Sequence, residues 1–252
     1  MKTAESVMVK VPVLATSDHV TRARKILRDD EFREVYVQDE KHHLAGYVDI
    51  TDALRITDTR SNVTVEGFLK DAPRVLPDEP LEKVAAVIRD AKTDSAAVVD
   101  GQGTVLGAVV LSGIFPILIT RHELRGTVGD WMSRGVVTIG PDEPIQKVYT
   151  LIMESGFTAF PVMKKRQLVG IVSRHDLLAA GRVRKSLDNI SRVKVESVMT
   201  KEVITTTPSA PTAEAANSLV KHDISRMPVM EGASLAGILD RHDVLKGLVF
   251  KQ

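Results

Sequence analysis

The sequence predicts a mixed α/β fold: four β-α-β-β-α repeats that pair into two double modules. A glycine-led pattern occurs four times, as GYVDITDAL at Gly46, GAVVLSGIF at Gly107, GIVSRHDLL at Gly170 and GILDRHDVL at Gly237, at spacings of 61, 63 and 67 residues. A second marker, Asp18, Asp78, Asp142 and Ser209, runs beside it at spacings of 60, 64 and 67. Between the markers, strand-like and helix-like periodicities alternate in the same order.

The third repeat shows the anatomy. GVVTI, Gly135 to Ile139, is a short β-branched run and reads as a strand. PDEP follows, with Asp142 placed to cap a helix. Ile145, Val148, Leu151 and Ile152 form one apolar helical face, and Gly156 ends it. AFPVM and QLVGIVS read as two strands joined by a polar KKR turn. Arg174 to Ala180 reads as a second helix, stopped at Gly181. In the second repeat Leu81, Val84, Val87 and Ile88 mark the first helix, and DGQG at Asp100 to Gly103 is a hairpin turn. The fourth repeat has RMPVM in place of AFPVM; the first has EVYVQ and LAGYV as central strands.

A three-stranded sheet this small cannot bury its apolar face alone, so the repeats are expected to pair. The expected repeats are residues 1–60, 61–122, 123–182 and 190–252, grouped as modules 1–122 and 123–252. The basic stretch from Arg182 to Val195 joins the last two.

Composition narrows the function. A net charge of +1 supplies no global field for nucleic acid or anionic membranes. With no cysteine, thiolate catalysis, disulfides and cysteine-ligated zinc are excluded. Aromatic residues make up only 4%, too few for a base-stacking surface. The most apolar run, Ala108 to Thr120, falls short of the ~20 residues a membrane helix needs and reads as a buried strand followed by a helix. The first ten residues lack a signal-peptide core, so a cytoplasmic protein is expected. Ser173, His175 and Asp176 are sequence neighbours and cannot form a catalytic relay, and no metal-ligand spacing stands out. A binding protein is expected, not an enzyme.

The pattern VMT, VITTTP, a helix, SRMPVM and LAGILDRHDVL resembles the CBS domain. The likeness is strong in repeats three and four, moderate in one and weak in two. In that family paired domains form a Bateman module that binds AMP, ADP, ATP or S-adenosylmethionine and regulates another domain or partner. The resemblance implies a ligand motif Gly-h-x-Ser/Thr-x-x-Asp, with h apolar. The start of its helix and the hydroxyl would favour phosphate, and its Asp would accept from both ribose hydroxyls. Such charge-assisted bonds are worth ~1.5–3 kcal/mol each.

Repeat three matches fully, with Ser173 and Asp176 flanking Arg174 and His175. Repeat four has Asp243 with Arg241 and His242 before it, but Asp240 replaces the hydroxyl residue. Repeat one has Asp52, with Asp49 at the hydroxyl position. Repeat two has Val110 and Gly113 and is expected to bind no ribose. A carboxylate repels phosphate unless Mg²⁺ intervenes, so Asp49 and Asp240 favour a ligand with little negative charge there, such as a nucleoside or S-adenosylmethionine, and the Asp176 site favours a nucleotide. The resemblance implies that Arg226 stands where a partner-repeat arginine often meets phosphate, and it is assigned to the Asp176 site; Thr138 and Thr205 are candidate donors. A homodimer and a regulated protein partner are expected. The rival readings are a scaffold with vestigial sites, and a nucleic-acid regulator using the basic stretch.

Overall fold

Each repeat is built on an antiparallel hairpin flanked by two helices. We describe residues 2–29, 32–56, 61–180 and 193–249 of a computed structural model, which divides into two compact units, one holding residues 2–122 and the other Glu123–Val249.

In the first unit, α1 (Ala4–Val7) leads into β1 (Val13–Ala15), α2 (Val20–Asp29), β2 (Glu34–Gln38), β3 (Leu44–Asp49) and α3 (Ile50–Arg55). A 3-10 turn at Val65–Phe68 then leads into β4 (Arg74–Val75), α4 (Leu81–Ala91), β5 (Ser95–Val99), β6 (Val105–Val110) and α5 (Leu111–Arg121). In both repeats the first strand pairs parallel with the second, and the second antiparallel with the third. Helix α4 buries Leu81, Val84, Ala85 and Ile88, the apolar stripe that its i, i+3, i+4, i+7 spacing prescribes. The DGQG turn closes as expected: Asp100 Oδ1 accepts the N–H groups of Gln102 and Thr104 at 2.9 and 2.8 Å. The apolar run from Ala108 forms the end of β6 and then α5, which buries Leu111, Ile114, Phe115 and Leu118. Among the described residues no helix is long and apolar enough to cross a membrane.

The second unit runs β7 (Glu123–Leu124), α6 (Val128–Trp131), α7 (Ile145–Ser155), β8 (Ala159–Lys164), β9 (Gln167–Ser173) and α8 (Arg174–Ala179). After a 3-10 turn at Val195–Ser197 come α9 (Thr212–Lys221), β10 (Arg226–Glu231), β11 (Ser234–Asp240), α10 (Arg241–Lys246) and β12 (Leu248–Val249), the last pairing with β7.

Two expectations for repeat three are corrected. GVVTI is not a strand; it contributes one parallel bridge, Ile139 to Val162. Extending that ladder toward residue 137 needs the N–H of residue 161, which is proline. Pro228 limits repeat four in the same way to the bridge between Thr206 and Val229. Tyr36 and Ala97 take the matching places in repeats one and two, where β1 and β4 do form. Asp142 does not cap α7. Pro144 is the N-cap residue, and Asp142 lies two residues too early and pairs with Lys194 Nζ at 3.2 Å. Gly156 ends α7 in the left-handed conformation at φ +71°, as expected. The stop at Gly181 and the basic residues Arg182 to Arg192 lie outside the described residues.

Candidate functional site

Each repeat lends its leading segment to its neighbour. Val9, Lys70, Ser133 and Thr200 bridge to Ala108, Tyr47, Ile238 and Ile171, each the residue after a repeated glycine. Each bridge is a reciprocal pair of backbone hydrogen bonds of 2.9–3.0 Å. The four crossing residues are 61, 63 and 67 apart, the same intervals as the glycines. A Cβ on Gly46, Gly107, Gly170 or Gly237 would lie 2.6–2.9 Å from the carbonyl oxygen of the crossing strand. The repeated glycine is therefore a condition of the exchange: no side chain fits between the two backbones.

The third strand of each repeat runs directly into a short helix, which brings the motif residues to that junction. In repeats one, three and four the helix begins with a reciprocal capping box. The N-caps are Asp49, Ser173 and Asp240; the motif acids Asp52, Asp176 and Asp243 stand three residues on and accept the N-cap's own N–H at 3.0, 2.7 and 3.2 Å. In repeat two Val110 takes the N-cap place with no side-chain hydrogen bond.

Around Asp176 the second unit brings together most of the expected residues. The Ser173 hydroxyl donates to Asp176 Oδ2 at 2.7 Å and accepts the Asp176 N–H at 3.3 Å. Among the described residues Oδ1 of Asp176 accepts no hydrogen bond and faces no cation within ion-pair distance. Arg174, the first helical residue, donates its backbone N–H to the Thr158 carbonyl at 2.9 Å. Arg226 of repeat four donates from Nη1 to the Thr158 hydroxyl. Thr158 thus joins the arginine to the Asp176 helix start. Arg174, His175 and Asp176 are all half-buried. Thr138 and Thr205 are exposed beside the bridges at Ile139 and Thr206.

The other two acids stand in different surroundings. Asp243 is 4% exposed and receives Lys246 Nζ at 2.7 Å. Burial pushes its carboxyl above the usual range, Asp240 adds to this, and Lys246 opposes it. Arg241 is buried and donates to Asp223 at 3.3 Å, while His242 Nδ1 lies 3.9 Å from Asp240. Asp52 is 1% exposed, with Lys70 Nζ at 2.7 Å, and the same nitrogen lies 3.2 Å from Asp49. Burial raises Asp52 too, again reinforced by the neighbouring aspartate and opposed by the lysine.

Comparison with known proteins fits this architecture. The family model described as the CBS domain matches residues 65–119, 128–182 and 195–249, more than half of the chain. The chain belongs to the CBS-domain family. The model matches the second repeat and not the first, the reverse of the order expected from their motifs; the first shares the β-α-β-β-α order. The chain is similar to the uncharacterized proteins MJ0188 and MJ1404 of Methanocaldococcus jannaschii, at 34% identity over 49% of this chain and 25% over 96%. It spans 44% and 61% of those relatives' lengths. In structure it resembles protein MJ1225 of the same organism, with a TM-score of 0.80 at 17% identity, covering 94% of this chain and 96% of that one.

Within this CBS arrangement sequence reasoning missed Lys70, Lys246 and Thr158. Lys246 was findable as the i+3 neighbour of Asp243. Lys70 was findable by carrying the glycine intervals back to the leading segments. Thr158 had no comparable signal, because its meeting with Arg226 spans 68 residues.

Proposed function

We propose that this CBS protein binds an adenine nucleotide at Asp176 and acts as a ligand-responsive regulator, not a catalyst. The Asp176 oxygen that is uncommitted among the described residues, with Arg226 held through Thr158 beside the same helix start, carries the reading. Oδ1 accepts from the ribose diol, and the Ser173 hydroxyl turns between Asp176 and the ligand. Arg226, Arg174 and His175 supply positive charge for the phosphates of AMP, ADP or ATP, and Mg²⁺ accompanies a polyphosphate. Thr138 and Thr205 are further candidate donors.

Asp240 and Asp243 support a second reading for repeat four. Two adjacent carboxylates suit the sulfonium of S-adenosylmethionine better than phosphate. Occupancy shifts the population between two arrangements of the repeats and so alters contacts with a protein partner in the cytoplasm. Self-association as a homodimer is part of the proposal.

Calorimetric titration with AMP, ATP and S-adenosylmethionine tests it. Nucleotide binding that weakens at least tenfold in D176A supports the reading. If none of the three binds or raises the melting temperature, the scaffold reading replaces it.

A further inference from the structure

We infer that the first-repeat site is filled from within: the Lys70 ammonium stands where a ligand would meet Asp49 and Asp52, so residues 1–122 form a structural module and the ligand enters through Glu123–Val249. This rests on the proposed reading of Asp176 as a ligand site. Lys70 arrives on the crossing segment of repeat two, locked to Tyr47 by two backbone hydrogen bonds of 3.0 Å. Its Nζ lies 2.7 Å from Asp52, 3.2 Å from Asp49 and 5.9 Å from the centre of the Tyr47 ring. The matching crossing residues are Val9, Ser133 and Thr200, none of them cationic. In the repeat that carries Asp176 the crossing residue is neutral Thr200, paired with Ile171, and among the described residues Asp176 keeps an oxygen uncommitted. A ligand that displaced Lys70 would leave Asp52 buried beside Asp49 without that counter-charge, a costly arrangement.

A second observation lies at the neighbouring register. Glu34 opens β2 opposite Asp49, as Arg226 opens β10 opposite Asp240. Glu34 is 6% exposed and accepts the Asp94 N–H at 2.9 Å and the Ser95 hydroxyl at 2.8 Å; Ser95 Oγ also meets Tyr36 Oη at 2.7 Å. Where the second unit has an arginine for phosphate, the first has a buried carboxylate that ties its two repeats together.

The test uses the full chain. A D176A/D243A double variant is expected to bind no AMP, ATP or S-adenosylmethionine; residual binding of one equivalent would overturn the inference. T200K places the same plug beside Asp176 and is expected to weaken nucleotide binding at least tenfold with unfolding still cooperative. Equal or tighter binding would mark a lysine at this register as a phosphate contact and overturn the plug. Amine acylation read by mass spectrometry gives an answer even if T200K does not fold. In the wild-type protein Lys70 should react more slowly than exposed Lys201, show no protection by saturating AMP, and react severalfold faster in D52N. Protection by AMP overturns the inference. Failure of the Asp176 reading appears separately, as wild-type protein that binds none of the three, and the D52N labelling still reports the plug.

Discussion

The carbonyl oxygen of Ser133 lies 2.7 Å from the place a Cβ on Gly237 would occupy. The two residues belong to different repeats, and Ser133 also exchanges backbone hydrogen bonds of 2.9 and 3.0 Å with Ile238. Adding a methyl group must push the crossing strand away from its partner. Gly237→Ala is expected to cost ~1–3 kcal/mol in urea unfolding. Gly113→Ala provides the contrast, because nothing lies within 4 Å of its Cβ place inside α5. That variant should match the wild type or gain up to ~1 kcal/mol from helix propensity.

Arg226 and Asp176 should separate by ligand. If the arginine meets phosphate and the acid meets ribose, Arg226→Ala weakens AMP and ATP at least tenfold and leaves adenosine unchanged. Asp176→Asn weakens all three. Calorimetry with the three ligands gives the pattern, and equal losses for adenosine and AMP in Arg226→Ala would remove the arginine from the site.

The pH response of Asp243 has a definite sign. Burial, reinforced by Asp240, raises its folded carboxyl above the ordinary value of 3.8. A raised group contributes stability that is present below the ordinary value and lost as pH climbs through the raised one. Asp243→Asn lacks that loss. Its stability relative to wild type should therefore rise as pH increases from below 3.8, read from urea melts across a pH series. A fall over the same window would mean that Lys246 outweighs burial.

Ser95 joins two repeats through a single hydroxyl that meets both Glu34 and Tyr36. Ser95→Ala removes one hydrogen bond from the buried Glu34 carboxylate. The expected cost is ~1–3 kcal/mol. A double-mutant cycle with Tyr36→Phe should be non-additive; simple additivity would show that the three groups do not act as one network.

The repeat, its central α-β-β-α order and the helix starts were legible because periodicity and turn chemistry act over a few residues. Gly156, the DGQG turn and the α4 stripe all behave as their local sequence requires. The missing strand at GVVTI was also written locally, in Pro161, but its effect falls on a segment more than 20 residues away and is easily overlooked. The acids at 52, 176 and 243 were recognisable as a set. Their differences were not, because a nearby cation from another segment distinguishes Asp52, while only the absence of one among the described residues marks Asp176.

The amino-acid order by itself determined four repeats, their helices and central hairpins and the acid that opens the last helix of three of them, since each depends on contacts within a turn or two. Only the tertiary structure decided which backbone crosses each glycine, and so which residue, Lys70 or Thr200, crosses each motif. Charge acts through space over a few ångströms, and those distances exist only once segments some 20 to 100 residues apart have been brought together.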